Sequence, residues 1–246
     1  MESASYFDHL GGDGRALAEA ARQAPGSAIV SCPGWDMDAL VGHMGGIHRW
    51  AAEMVRTGAT ERISRRGLTP PPEDRVLLMD WYDEGLAGLV EVLTTVDPDQ
   101  PVWNWQPGAE RRARFWHRRM AQETAVHRWD AQTATGRTDP IDAGLAVDGI
   151  DEYFDLYVAG RIEAQPVDGL HGSLHLHATD IEGEWWVALA PDHLERRHEH
   201  AKADAAVRGP ASSLLLWLWN RVPIDDDDLQ VFGDPGVTGQ VAGLTF

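Results

Sequence analysis

The sequence predicts an α+β protein, with an N-terminal four-helix bundle over residues 1–165 and a smaller α+β domain over residues 166–246. Two observations lead to this fold class. Over roughly the first 160 residues, apolar side chains recur mainly at the spacing of amphipathic helices. Beyond Pro166, short segments alternate polar and apolar residues with a period of two, as half-buried strands do. Strands grouped after helices are typical of the α+β class.

Four long helices are predicted in the first domain, and most have a recognisable start or end signal. Asp36 is a favourable N-cap for the second helix, and Gly58 ends it. Pro25 and Pro98 follow the first and third helices, since proline cannot continue a helix. The segment 59–72, which contains three consecutive prolines, is predicted to be a loop. The helices cover about 6–23, 35–58, 73–96 and 110–135, and a fifth covers about 141–162.

Five strands and one helix are predicted in the second domain, whose boundary we place between Pro166 and Gly169. The apolar helix "ASSLLLWLWNR" begins after Pro210. The predicted strands are "GSLHLHAT", "EWWVALA", "ERRHEH", "KADAAVRG" and "DLQVFGD".

Composition excludes several classes of partner. The net charge of −18 argues against nucleic acid and against anionic membranes, because both require a basic surface. It also disfavours an anionic small substrate, unless a few arginines form a local positive pocket. No apolar run is long enough to span a membrane, and the N-terminus lacks the pattern of a signal peptide. Together with a single cysteine, which excludes an intramolecular disulfide, these features indicate a cytoplasmic protein.

Three polar residues on two bundle helices suggest a metal site. Glu123 and His127 are four residues apart, so their side chains leave the same face of the fourth helix. His43 lies on the apolar stripe of the second helix. A His, Glu, His set is the ligand pattern of several catalytic zinc sites, and it also suits nickel, cobalt or iron. The alternatives are a solvated helix pair for Glu123 and His127 and a core position for His43.

Other candidate residues have simpler interpretations. His48 is off the face of His43 and flanks the site at most, and His117 points away from Glu123. Cys32 has no partner cysteine and is interpreted as an inert packing residue rather than a nucleophile.

In the second domain, His175 and His177 alternate on one strand face near Asp180. They are interpreted as residues on the exposed face of a half-buried strand, with metal binding as the alternative. The acidic run 225–228 lacks the glycine and terminal glutamate of a calcium loop, so it is predicted to be a solvated turn.

Long segments of the chain resemble a known family. "CPGWDMDALVGHMGGIHRWA" and "RRMAQETAVHRWDAQTATG" resemble the mycothiol-dependent maleylpyruvate isomerase family, whose N-terminal domain belongs to the DinB-like metal-binding four-helix bundles. "HLHATDIEGEWWVAL" and "KADAAVRGPASSLLLWLWNR" are similar to that family's C-terminal α+β domain, which itself resembles sterol-carrier modules. The resemblance covers nearly the whole chain in the same order.

The resemblance implies a cofactor and a set of site residues. By position, the family's metal ligands match His43, Glu123 and His127, and the implied metal is divalent, with zinc expected. Mycothiol is the implied thiol cosubstrate. The family also uses arginines near the domain junction to hold substrate, and Arg221 is the first match, with Arg208 second.

The implied chemistry is attack of a metal-bound thiolate on a small-molecule electrophile, because metal coordination deprotonates a thiol. In an isomerase, the thiolate adds to a double bond, the resulting single bond rotates, and elimination returns the trans product. A mycothiol S-transferase would instead release the adduct. A non-catalytic metal-binding or ligand-binding protein, or a structural metal with four protein ligands, remains an alternative. The loop 59–72 lies where substrate specificity could be set.

Overall fold

The computed structural model describes residues 1–108 and 110–244, and it has the predicted α+β fold. The chain divides into two compact units. The N-terminal unit contains residues up to 105 and the described residues from 110 to 139, and the C-terminal unit contains 106–108 and the described residues from 140 to 244. Each unit is described separately below.

Four long helices form the N-terminal unit, as predicted. α1 packs mainly against α4, and α2 packs mainly against α3. Asp36 caps α2 by accepting a hydrogen bond from Ala39 N at 2.8 Å, and Gly58 ends the helix in a left-handed conformation at φ 61°. A short 3₁₀ turn lies within the predicted loop, at Arg65–Gly67. The helices are α1 (Ser3–Gln23), α2 (Met37–Thr57), α3 (Arg75–Thr95) and α4 (Arg114–Thr133).

The fourth helix begins later than the predicted start near Glu110. Before α4, the chain forms an isolated antiparallel bridge between Pro101 and Arg112. Val102 N donates to Arg111 O at 3.1 Å in the same pairing. These extended residues cannot also be helical, so α4 starts at Arg114.

Glycines allow α2 and α3 to approach closely. A Cβ on Gly45 of α2 would overlap the ring of Trp81 on α3, and a Cβ on Gly85 would overlap the guanidinium of Arg49. Gly46, the next residue along α2, has open space around the same position. The helix contact therefore depends on the absence of a side chain at position 45 and not at position 46.

We expect Gly45→Ala to lower the free energy of unfolding by about 1–3 kcal/mol, because the buried Trp81 must move to accommodate the new methyl group. Gly46→Ala is the matched control. It should raise the free energy of unfolding by about 0.5–1 kcal/mol, because alanine loses less conformational entropy than glycine when a helix forms. Urea denaturation followed by circular dichroism measures both. Equal effects of the two variants would contradict the close approach.

The C-terminal unit combines a five-stranded sheet with helices. The strands are β1 (Ser173–Ala178), β2 (Glu184–Ala190), β3 (His193–Arg197), β4 (Ala205–Gly209) and β5 (Gln230–Gly233). The strand order is β3-β2-β1-β4-β5, with β1 and β4 parallel and the other pairs antiparallel. The helices are α5 (Ala143–Glu152), a π-helical turn (Tyr153–Val158), α6 (Ala159–Ala164), α7 (Ala211–Leu218) and the short α8 (Pro235–Thr238).

One face of the sheet packs on helices through apolar and polar contacts. Trp185 on β2 is fully buried, and its Nε1 donates to Asp151 Oδ1 of α5 at 2.8 Å. α5 also packs against α7. Because side chains alternate along a strand, the residues on either side of Trp185 belong to the opposite, outer face of the sheet.

The predicted domain boundary between Pro166 and Gly169 differs from the observed division, which falls between residues 139 and 140. The predicted fifth helix corresponds to α5, the π-helical turn and α6, and it belongs to the C-terminal unit. Helical periodicity identifies a helix but does not show whether it packs in a bundle or on a sheet. Two further differences are that β3 begins at His193, ahead of the predicted "ERRHEH", and that α8 was not predicted.

None of the helices formed by the described residues combines the length and apolar character that crossing a bilayer requires.

Candidate metal centre

The three predicted metal ligands come together inside the N-terminal unit. α2 supplies His43, and α4 supplies Glu123 and His127 one turn apart. Glu123 Oε1 lies 3.6 Å from His43 Nε2 and 3.7 Å from His127 Nε2. All three donor atoms lie within 4.8 Å of one another, so a single ion could contact them all.

Two buried side chains hold these donors in place. Arg119, one turn before Glu123, donates from Nη2 to Glu123 Oε2 at 2.9 Å, which leaves Oε1 facing the histidines. Asp130 Oδ2 lies 2.8 Å from His127 Nδ1, and Ser31 Oγ donates to Asp130 Oδ1 at 2.6 Å. A carboxylate on the far nitrogen of a histidine is the usual arrangement around a metal ligand, because it orients the ring. His127 therefore presents Nε2 to the centre.

The electrostatics of the centre keep the carboxylate ionised. Burial alone would raise the pKa of Glu123, but the hydrogen bond with His43 and the charge of Arg119 hold it far below its usual value. Burial acts to lower the pKa of His127, but hydrogen bonding to Asp130 and Cys32 outweighs it and raises the pKa to about 9. The centre is thus a half-buried anionic carboxylate beside a His127 ring that carries a proton at neutral pH, which a metal ion would displace on binding.

The segment before α2 closes one side of the centre. The ring centroid of Trp35 lies 4.8 Å from that of His43 and 6.2 Å from that of His127. Cys32 Sγ lies 3.7 Å from Asp130 Oδ2. Cys32 groups with His127 and Asp130 as possible donors, but not with His43 and Glu123. Among the described residues, the group formed by His43, Glu123 and His127 thus contains no fourth protein donor.

A cavity of about 350 Å³ lies beside His43. Its other wall is the 3₁₀ turn and the proline-rich segment that follows, which contribute Arg65 and Arg66. Both arginines are exposed. The cavity therefore has an imidazole on one side and two positive charges on the other. It is lined by Gly42, His43, Gly46, Arg65, Arg66, Leu68, Thr69, Pro70 and Pro71.

Sequence reasoning missed the residues around the ligands, although part of the signal was present. Arg119 is four residues before Glu123 and Asp130 is three after His127, so helical spacing alone puts both near the site. Cys32, interpreted as an inert packing residue, lies next to the Asp130 carboxylate. Its position depends on an irregular segment for which the sequence shows no periodicity.

Two other histidines of the bundle, His48 and His117, lie where expected. His48 is fully buried with Nε2 3.0 Å from Thr124 Oγ1, and burial lowers its pKa to about 3. His117 contacts Ser3 Oγ through Nδ1 at 3.1 Å and does not join the candidate centre. Both are core histidines rather than ligands.

The candidate residues of the C-terminal unit have mixed outcomes. Arg208 is exposed on β4, and Arg221 follows α7 and donates from Nη1 to Trp219 O at 2.9 Å. Their role in holding substrate stays a prediction. The acidic run 225–228 forms a largely exposed turn, as predicted.

The interpretation of His175 and His177 as exposed strand residues was wrong for His175. This residue is buried because His200 covers it, with the two ring centroids 4.7 Å apart.

The fold and the three converging donors define a two-domain α+β protein with a candidate metal centre in its N-terminal unit. Residues 7–132 match the model of the mycothiol maleylpyruvate isomerase N-terminal domain, and residues 144–240 match the model of the MDMPI C-terminal domain. The chain belongs to the mycothiol maleylpyruvate isomerase family. This confirms the predicted family and agrees with the prediction of an enzyme.

Two solved structures share the fold at 11% sequence identity. One is a crystal structure of the mycothiol-dependent maleylpyruvate isomerase, with a TM-score of 0.56, and the other is a histidine-to-alanine mutant, with a TM-score of 0.60. Each alignment covers 94% of this chain and 93% of the other. Among curated proteins, no relative matches this sequence.

We expect His127→Ala to lower the zinc content of loaded protein by one equivalent per chain, because it removes one of the three donors. Asp130→Asn should retain the donors but weaken zinc affinity by about 10–100-fold, because the ring of His127 loses its orienting carboxylate. Elemental analysis and zinc titration measure these effects, and His193→Ala, an exposed histidine, is the control. Equal zinc in wild-type and His127→Ala protein would contradict the assignment.

Proposed function

We propose that the chain is a mycothiol-dependent isomerase that converts a cis double bond of a small electrophile into the trans form. The convergence of His43, Glu123 and His127 in a member of this family carries the proposal. Two imidazoles and one carboxylate are the donors of catalytic zinc sites, which keep one position open. The structures of similar fold are of a mycothiol-dependent maleylpyruvate isomerase, which makes maleylpyruvate the first substrate to test.

The proposed metal is zinc, held by these three residues. When bound, zinc would supply a positive charge that keeps a thiol deprotonated at neutral pH. The protein's own contribution is positional: Arg119 fixes the carboxylate of Glu123, and Asp130 fixes the ring of His127. Because Arg119 and Asp130 are buried, the donors that they hold need little rearrangement to bind an ion.

Arg65 and Arg66 support an anionic substrate. The net charge of −18 disfavours such a substrate unless arginines provide a local positive pocket. These two arginines line the cavity beside His43 and meet that condition. Their guanidinium groups would bind carboxylates of the substrate beside the centre, away from the reacting bond. Trp35 covers the imidazoles on a further side and restricts the access of water.

We also propose Arg221, with Arg208 second, as residues that orient the substrate. This assignment rests on the resemblance of "WLWNR" and "AVRG" to the C-terminal domain of the family. The cytoplasmic location predicted from composition likewise stays a prediction.

A mycothiol S-transferase is the second candidate. The cavity of about 350 Å³ has one exposed wall, so it has room for electrophiles other than a small dicarboxylate. Both reactions use the same metal and thiol, and only the fate of the thiol distinguishes them.

A thiol screen tests the reaction. We expect zinc-loaded protein with mycothiol to convert maleylpyruvate to the trans product and to return the thiol unchanged, because addition and elimination regenerate it. Thiol titration and product geometry are measured together, with His43→Ala as the inactive variant and His193→Ala as the control. Consumption of thiol into an adduct would indicate the transferase. If mycothiol neither binds nor raises the melting temperature, a non-catalytic metal-binding or ligand-binding role replaces the proposal.

Removing the cavity arginines tests the substrate class. We expect the double variant Arg65→Gln and Arg66→Gln to raise KM for an anionic substrate by about tenfold, since a hydrogen bond to a charged group contributes about 1.5–3 kcal/mol and exposure weakens it. The value of kcat should change little, because these residues bind the substrate without touching the reacting bond. Arg137→Gln, an exposed arginine paired with Asp139, is the control. An unchanged KM in the double variant would exclude this role.

A further inference from the structure

A second group of metal-binding side chains lies in the C-terminal unit, on the outer face of the sheet. His177 on β1 is directly opposite Glu184 on β2, and His175 is the next residue on the same face of β1. His200 comes from the segment that follows β3. Three histidines therefore surround one carboxylate.

The contacts use both carboxylate oxygens. His175 Nε2 is hydrogen-bonded to Glu184 Oε2, and His177 Nδ1 lies 2.6 Å from Glu184 Oε1. His200 Nδ1 lies 3.3 Å from the same Oε1. One donor atom from each of His175, Glu184 and His200 lies within 4.8 Å of the other two.

The burial of these residues is unusual for the open face of a sheet. The side chain of His175 is 8% exposed although it lies on the outer face, because the segment after β3 folds back over it. That segment is held by Trp186 Nε1, which donates to Lys202 O at 3.2 Å. His200, in contrast, is 77% exposed at the edge of the group. One side of the cluster is thus enclosed and the other is open to solvent.

The donor chemistry suits a divalent transition-metal ion. Neutral imidazoles and one carboxylate carry a single negative charge in total, and a divalent ion would compensate it. Imidazole nitrogen and carboxylate oxygen are the donors that zinc prefers among non-sulfur ligands. His177 holds the second oxygen of Glu184, as a neighbouring hydrogen-bonding group does for a metal-bound carboxylate.

We propose that His175, Glu184 and His200 form a second divalent-metal site, independent of the centre in the bundle. The ion would join β1, β2 and the segment after β3. Its function is to fix that segment on the sheet, beside the exposed Arg208, which pairs in register with His177.

Zinc stoichiometry of four proteins tests this site. After zinc loading and gel filtration, elemental analysis should find two equivalents in wild-type protein and one in His127→Ala. It should find one in His200→Ala and none in the double variant His127→Ala with His200→Ala. His200 is exposed, so its removal should leave the fold intact. Zinc should also raise the melting temperature of His127→Ala protein but not that of the double variant.

The control is His198→Ala, two residues from His200 and also exposed, which should retain both equivalents. If His200→Ala keeps all the zinc of the wild type, the second site is overturned, and the three histidines are only hydrogen-bond donors to Glu184. If His127→Ala protein keeps both zinc equivalents of the wild type while His200→Ala protein loses one, the second site is supported and the assignment of the centre in the bundle is rejected. The two proposals can therefore be rejected separately.

Discussion

A stripe of buried charged and polar residues along α4 is the constraint on which the N-terminal unit depends. Arg119, Glu123, His127 and Asp130 follow one another at helical spacing, and each is wholly or largely shielded from water. A buried charge without a partner destabilises a fold by several kcal/mol, so every member of such a stripe needs a counterpart. The pairs Arg119–Glu123 and His127–Asp130 satisfy this need within the helix itself. Helix geometry therefore fixes the relative positions of Glu123 and His127, the two donors on α4, whatever the packing of the neighbouring helices.

The sequence was sufficient to predict the part of the centre that lies on one helix. Glu123 and His127 share a face because they are four residues apart, and this holds in any packing arrangement. His43 was a candidate because it lies on the apolar stripe of α2, but its approach to Glu123 depends on how α2 packs near α4, and the family resemblance supported that placement. Arg65 and Arg66 could be identified only as a basic stretch, because the path of an irregular loop cannot be read from periodicity. Their place beside His43 became evident only from the structure.

The fold class was predictable, but the division of the helices between the two units was not. Periods of 3.6 and 2 distinguish helix from strand, so the α+β class and most elements agree with the structure. The apolar stripe of α5 looks the same whether the helix belongs to the N-terminal bundle or to the C-terminal unit. In the structure it packs on α7 of the C-terminal unit. The burial of His175 was missed for a similar reason. Strand alternation describes the two faces of a sheet, but it does not show which loop covers a face.

The two walls of the cavity beside His43 differ in how freely they can vary during evolution. One wall is α2, which contributes the donor His43 together with Gly42 and Gly46, so a change at position 43 alters the centre itself. The other wall is the exposed segment that carries Arg65 and Arg66, and no buried residue lies in that turn. Substitutions at these exposed positions remove neither a donor nor a buried side chain. A lineage of such proteins can thus diversify in ligand preference by altering one loop while the centre stays constant.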